Sequence, residues 1–369
     1  MKKTMARIST TKYGLFLIGT LALLWPSFLL AGEPQHLRLS LRALGMGNAF
    51  VAAANDESSL YYNPAGLASV QRSFFEVLSV NATINQNLLD LGDKTGSDQT
   101  AAFGDLVGNK IYFEAGGSLL SYTAPYWGWS TFGGAVLDAT IHNPTIPYFE
   151  LLGYAQYGAI GGFAVTMNDQ LIDVGVAMKY VFRAGIGKTL HIVDAADMTA
   201  LTTSVENDAV NKSQISSDVG ATYHIDRWYN YNLKVSAVMK DIGGLDFGSA
   251  GSIPTTVNLG IASESEFAGF DLLLASDLVD ATFAATETKS FARNFNLGAE
   301  LGFAKRSNGG HHALAFRLGK KGPYQTTGFS FNPPYLPIMI DYAKWSEEVG
   351  AVAGSKEDKR QSIQLSFNF

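Results

Sequence analysis

The last nine residues, Gln361-Ser362-Ile363-Gln364-Leu365-Ser366-Phe367-Asn368-Phe369, alternate without a fault. Ile363, Leu365, Phe367 and Phe369 fall on one face, and Ser362, Gln364, Ser366 and Asn368 on the other. A period of two is the signature of a β-strand. A strand with one apolar and one polar face needs two different surroundings. A barrel in an outer membrane supplies both, with lipid outside and water or a plug inside. The expected fold class is therefore all-β, an antiparallel transmembrane barrel.

Working back from that strand, thirteen further stretches read the same way. In chain order the set is Phe74–Ile84, Lys110–Thr123, Trp129–Thr140, Tyr154–Thr166, Leu171–Arg183, Gln214–Ile225, Tyr229–Lys240, Pro254–Ser263, Phe267–Asp280, Phe291–Phe303, His312–Lys320, Tyr324–Phe331, Pro337–Lys344 and Gln361–Phe369. Fourteen strands are predicted. Three of them show the pattern well. Phe295, Leu297, Ala299, Leu301 and Phe303 oppose Asn296, Gly298, Glu300 and Gly302. Ile172 to Phe182 oppose Asp173 to Arg183, and Tyr231 to Met239 oppose Asn232 to Lys240. The connections alternate in length as well. Ala124–Gly128, Asn168–Gln170 and Asp226–Trp228 are short, while Asn85–Asn109, Ala184–Ser213 and Asp241–Ile253 are long. Short periplasmic turns and longer outside loops are the rule for such barrels, and Lys321–Pro323 is the exception to it. An even strand count puts both ends of the barrel on the periplasmic side. Tyr122, Tyr126, Trp127, Trp129 and Trp228 cluster near expected periplasmic turns, as girdle residues do.

The front of the chain agrees with an exported protein. Lys2, Lys3, Arg7 and Lys12 precede an apolar run, Leu15 to Leu24, followed by Trp25-Pro26-Ser27 and Leu29-Leu30-Ala31. Residues 1–31 therefore read as a signal peptide, although Leu29 stands where Ala is commoner. The alternative is an uncleaved anchor, but Pro26 breaks the run short of the roughly 20 residues that a spanning helix needs. Without residues 1–31, the 27 basic residues fall to 23 against 33 acidic ones, which argues against nucleic acid as a partner. There is no cysteine, so disulfides, thiolate metal sites and thiol catalysis are excluded.

Residues 32–72 do not alternate, and residues 73–369 make up the barrel. The first segment holds Gly45-Met46-Gly47-Asn48-Ala49-Phe50, the step Asn55-Asp56 and Asn63-Pro64-Ala65-Gly66-Leu67. A fourteen-strand barrel has a lumen wider than its own side chains can fill. About forty residues of small, tightly turning composition with an Asn-Pro break suit a plug. Here the chain resembles the FadL-type family of outer-membrane transporters for long-chain fatty acids and other hydrophobic compounds. The resemblance is specific over Arg42–Leu67 and architectural elsewhere. It implies a fourteen-strand barrel with an N-terminal lumenal hatch, whose Phe50, Leu60, Tyr61, Asn63, Pro64 and Ala65 would couple hatch position to passage of a hydrophobic ligand. Asn63 is the expected hinge element beside Pro64, which cannot donate a hydrogen bond. The terminal Phe369 is similar to the signal that bacterial barrels present to their assembly machinery, an expected partner along with membrane lipid. Asp218-Val219-Gly220-Ala221 and Ile253-Pro254-Thr255-Thr256-Val257-Asn258-Leu259-Gly260 are similar to FadL-like barrels that serve secretion or conjugation systems.

Other chemistry is weakly supported. Gly185-Ile186-Gly187-Lys188-Thr189 resembles the end of a phosphate loop, but Phe182 stands where its first Gly belongs and no helix is expected to follow. It reads better as a glycine-rich exit from a strand. His311-His312 are adjacent and would point to opposite faces, so they cannot chelate one ion together. Lumen-facing Asp173, Lys179, Arg183, Asn294, Glu300 and Arg317 either hold a plug to the wall or line a path. No enzyme, cofactor or metal site is expected. The expected function is passive uptake of a hydrophobic small molecule across the outer membrane of a Gram-negative bacterium. The competing expectation is a FadL-like barrel serving as a scaffold in a secretion-type assembly. An apolar cavity behind the hatch favours the first, and a lumen filled with polar side chains favours the second.

Overall fold

The computed structural model describes residues 35–94, 107–142, 148–168, 171–191, 208–228, 231–267, 269–285, 289–305, 311–350 and 352–369. The expected signal peptide and residues 192–207 of the long Ala184–Ser213 connection lie outside the described residues.

Among the described residues there are sixteen strands. They are β1 (Phe74–Asn85), β2 (Lys110–Ala124), β3 (Trp127–His142), β4 (Tyr148–Met167), β5 (Ile172–His191), β6 (Val210–Trp228), β7 (Tyr231–Ile242), β8 (Leu245–Asp246), β9 (Ser252–Ile253), β10 (Thr256–Phe267), β11 (Phe270–Leu278), β12 (Phe295–Lys305), β13 (His312–Lys321), β14 (Tyr324–Phe331), β15 (Ile338–Glu348) and β16 (Glu357–Asn368). β8 and β9 pair only with each other, and the other fourteen close into one barrel. Each barrel strand pairs antiparallel with its neighbours, and β16 closes on β1 through the register Val80↔Leu365 and Ile84↔Gln361. Closure matters because an unpaired strand edge in lipid would leave backbone groups without partners, at several kcal/mol each. Phe369 N–H donates to Phe75 O at 2.8 Å, and Phe75 N–H returns the bond at 3.0 Å.

The barrel is inside out relative to a water-soluble one. Ser362, Gln364, Ser366 and Asn368 of β16 are buried, while Ile363 is 57% exposed. Met178, Ile215 and Leu318, on three other strands, are 66–67% exposed. A continuous apolar belt of this kind is covered only by lipid. The barrel therefore sits in an outer membrane, with Phe74 and Asn368 at the periplasmic end. Among the described residues no helix is long and apolar enough to cross a membrane. Tyr126, Trp127 and Trp129 point outward near the β2–β3 turn, where Tyr122 and Trp127 rings lie 5.1 Å apart. The Trp228 side chain lies outside the described residues.

Several boundaries correct the sequence reading. β5 runs on to His191, so Gly185-Ile186-Gly187-Lys188-Thr189 is strand and not an exit into a loop. Its glycines are there because something packs on each. A side chain at Gly187 would meet the carbonyl of Ser249, and one at Gly185 would meet Tyr154. β4 starts six residues early for the same reason, since Tyr148 pairs with His191. Phe291–Asn294 forms a helical turn, so β12 starts at Phe295. The β1–β2 connection opens with a helix, Gln86–Lys94.

Residues 41–70 lie within the ring of strands, against inward side chains of β5, β6 and β11–β14. The segment has a helical turn at Leu41–Gly45, another at Ser59–Tyr62 and a 3-10 helix at Pro64–Ser69. Small wall residues let its backbone approach closely. A side chain at Gly298 or Gly319 would strike Met46, and one at Gly175 would strike Pro64 and Ala65.

Candidate functional site

The plug is fixed to the wall by charge-assisted bonds. Arg42 donates through Nε and Nη2 to both oxygens of Glu300 on β12, at 2.9 and 2.7 Å. Its Nη1 reaches Asn55 and Asp56 within the plug, at 2.8 and 2.5 Å. Arg317 on β13 donates to Glu300 at 2.6 Å and lies 3.4 Å from Asp341 on β15. Asp277 on β11 accepts from the backbone N–H of Phe50 and Val51, at 2.5 and 2.8 Å. Thr326 on β14 donates to Gly45 O and accepts from Gly47 N–H. Bidentate guanidinium–carboxylate bonds are the strong members of the hydrogen-bond family, and breaking one in a buried site leaves an uncompensated charge.

All six residues singled out from the sequence are in this plug and all are buried. Phe50, Leu60 and Ala65 are fully enclosed. Phe50 packs edge-on against Tyr62 at 5.4 Å, beneath the Arg42 guanidinium. Tyr61 donates to Ser130 of β3 at 3.1 Å, and its ring meets Phe132 edge-on. Asn63 is bonded through both ends of its amide. Oδ1 accepts from Ala65 N–H at 3.0 Å, capping the 3-10 helix at Pro64, while Nδ2 donates to Val51 O at 2.9 Å and to Thr222 of β6 at 3.2 Å. Asn63 is thus a clamp between two plug turns and the wall.

At the periplasmic end His311 Nε2 lies 3.1 Å from Glu57. Burial alone would lower the imidazole and raise the carboxyl, but each group's charge overrides that on the other. The His311 imidazole is raised and the Glu57 carboxyl is lowered, so both are charged near neutral pH. Asp56, Glu57 and His311 offer three atoms within 4.8 Å of one another, a spacing that could hold a metal ion. Arg42 and Ser58 N–H already occupy the two Asp56 oxygens, however, and His311 takes Glu57. The set reads as an ion-paired fastening. His312 turns to Asp271 instead, at 2.8 Å, so the two histidines serve different partners.

Of the other charges singled out from the sequence, Lys179 and Asp173 join strands of the wall. Lys179 bridges Asp218 and Asp241 at 2.7 and 2.5 Å. Asp173 accepts from Thr166 and meets His224. Arg183 meets only neutral partners.

A cavity of ≈ 120 Å³ lies on the outer surface of the plug. Its apolar lining comes from Leu39, Val51 and Tyr62 of the plug, from Ile253 and Pro254 of the β7–β10 connection, and from Val279. Its rim carries Lys240, Arg293, Glu347 and Glu348. The Lys240 ammonium lies 5.6 Å from the Tyr62 ring centre and makes no ion pair among the described residues. Sequence reasoning did not find this site, because its lining comes from strands and loops far apart in the chain. On the β1, β2 and β16 side the inward face is polar, with buried Glu76, Ser79, Ser118, Ser121, Gln364 and Ser366, while elsewhere the plug meets apolar wall residues such as Phe132, Ile160 and Leu273.

No protein-family model matches the chain, and no curated protein does. Among solved structures, it is similar to the Ralstonia pickettii toluene transporter TbuX with a TM-score of 0.50 and 14% identity, over 93% of this chain and 99% of that one. The Pseudomonas putida toluene transporter TodX matches with a TM-score of 0.47 and 12% identity, over 91% and 99% of the two chains. A Pseudomonas aeruginosa FadL homologue matches with a TM-score of 0.40 and 10% identity, over 91% and 99%. The likeness is one of fold.

Proposed function

We propose that this barrel is a passive outer-membrane channel for hydrophobic small molecules, with the plug as its hatch. The observation that carries the reading is the cavity against Val51 and Tyr62. At ≈ 120 Å³ it is in the size class of a buried apolar cavity of about 150 Å³ that takes up benzene. A compact one-ring compound fits it, whereas a long acyl chain would extend past its walls. Each buried methylene contributes about 0.8 kcal/mol, so a ring-sized apolar solute is captured without any chemical step. Onward passage requires the plug to shift, and Phe50, Leu60, Tyr61 and the Asn63-Pro64-Ala65 turn are the elements that would have to yield. The toluene transporters with the same fold act on a solute of this size class by their names, which agrees with a one-ring cargo here. Phe369 serves the proposed recognition by the barrel assembly machinery.

The test is equilibrium binding of a labelled one-ring aromatic to the purified barrel in detergent. Wild type is expected to bind and Val51→Trp, which fills the cavity, is expected not to. Equal binding by both would remove the cavity from the account. A scaffold role is the second reading, and the polar inward face of β1, β2 and β16 favours it. In that case no hydrophobic solute binds, and a protein partner is retained at the outside loops.

A further inference from the structure

The β7–β10 connection, residues 243–255, is an outside loop by sequence, yet its apolar residues are among the most deeply buried in the molecule. Leu245, Phe247 and Ala250 are no more than 1% exposed, and they join the same apolar cluster as the plug. The loop is compact. β8 and β9 pair within it, Gly248–Ala250 forms a 3-10 turn, and Phe247 N–H donates to Gly251 O at 3.0 Å. It enters the barrel mouth from outside and lies over Arg183. The guanidinium of Arg183 is sandwiched between the rings of Tyr154, at 4.0 Å, and Phe247, at 4.3 Å. It donates to Gln156 of the wall, to Gln35 beside the plug and to Ala250 O of the loop, the last at 3.1 Å. Arg183 is fully buried and has no carboxylate partner among the described residues. Buried arginines are ordinarily paired with an acid. Here the only charge on the contact is the arginine's own, so nothing is left as an unpaired buried anion when the loop leaves, and water can hydrate the guanidinium in its place. The N-terminal flank of the loop suits a swing, because Gly243 and Gly244 have φ of 90° and 70°. The base is held by Lys179 through Asp241, and Thr255 donates to Asp241 O at 2.7 Å.

We propose that residues 243–255 are an outer lid over the lumen and that Arg183 is its latch, released by sliding Phe247 and Ala250 off the guanidinium. The lid also supplies Ile253 and Pro254 to the cavity, so its opening would expose that cavity from outside. The role of the lid in uptake rests on the channel reading, but its movement does not.

The test reads access and not uptake. The chain has no cysteine, so Val181→Cys, one inward position below Arg183 on β5 and fully buried, introduces a single thiol under the lid. A membrane-impermeant thiol reagent is added to whole cells carrying this variant, alone or with Arg183→Ala or Phe247→Ala, and folding is checked by heat-modifiable gel migration. Both additions are expected to speed labelling by about tenfold, the scale of one desolvated cation–π contact. Phe247→Ala keeps the wall intact and covers the case in which Arg183→Ala fails to fold. Unchanged labelling in Phe247→Ala overturns the latch, whether or not Arg183→Ala labels faster, because the effect would then not run through the loop. If labelling rises but no hydrophobic solute is taken up even by wild type, the lid stands and the channel reading falls.

Discussion

The plug enters the lumen with Arg42 gripped by both oxygens of Glu300, while the 243–255 loop enters it from the other end with Phe247 lying on Arg183 and no carboxylate in the contact. Both segments bury apolar residues in one shared cluster. The difference is in what is left behind when each moves. Withdrawing the plug takes Arg42 from Glu300, leaving that carboxylate Arg317 alone as its counter-ion, and frees Asp277 of two N–H donors. Withdrawing the loop leaves a lone arginine facing incoming water. The plug also gives the shared cluster far more apolar residues than the loop's Leu245, Phe247, Ala250 and Ile253, so ion pairs and apolar area both point to the loop as the filling that comes out more readily.

That contrast breaks first at Glu300. Glu300→Gln is expected to destabilise the folded barrel by about 3–5 kcal/mol, the cost of breaking a buried charge network from one side. It should lower the midpoint of heat unfolding far more than Phe247→Ala does. Equal midpoints for the two variants would erase the distinction between plug and lid. Asn63→Ala comes next. Losing a cap and two clamp bonds should loosen the plug by about 1–3 kcal/mol, seen as a rise in single-channel leak conductance while the barrel still migrates as folded. Unchanged conductance would make the amide dispensable.

The smallest effect is that of pH on the Glu57–His311 fastening. The imidazole is raised to about 9 against an ordinary value near 6.5, so its stabilisation is complete below about 6.5 and is lost as pH rises through about 9. The Glu57 carboxyl is lowered, so its share is present above the ordinary carboxylate value and is lost only in strong acid. Plug leak should therefore grow between neutral pH and pH 9–10 in wild type and stay flat in His311→Asn. A flat wild-type profile over that range would show that the pair does not hold the plug.

The strands were legible because period two survives in residues such as Ile363 and Leu365, whichever partner lies beside them. All fourteen barrel strands were found, with errors at ends where glycine or a turn interrupts alternation, as at Gly185–Thr189 and Phe291–Asn294. The plug residues were legible from their composition, but their partners were not: the Asn63 amide holds Val51 and Thr222, which lie 12 and 159 positions away in sequence. Glu300 and Arg317 were candidates as plug fastenings, but Arg42 as their partner was not readable, since nothing local links residue 42 to residue 300. The inward fold of Asp241–Ile253 was missed because the segment was read by its length alone, as an outside loop. Leu245, Phe247 and Ile253 within it were the available signal, since an outside loop has no use for three large apolar residues unless it folds inward.

On the channel reading, a hydrophobic solute of about one ring crosses the outer membrane through this barrel. The direct measurement is initial uptake of a labelled one-ring aromatic and of a labelled long-chain fatty acid by cells with wild type, with Val51→Trp or with no barrel. The expected result is faster uptake of the aromatic by wild type alone, with the fatty acid little changed. Equal uptake by wild type and barrel-free cells across both solutes would contradict the channel and leave the scaffold reading in its place.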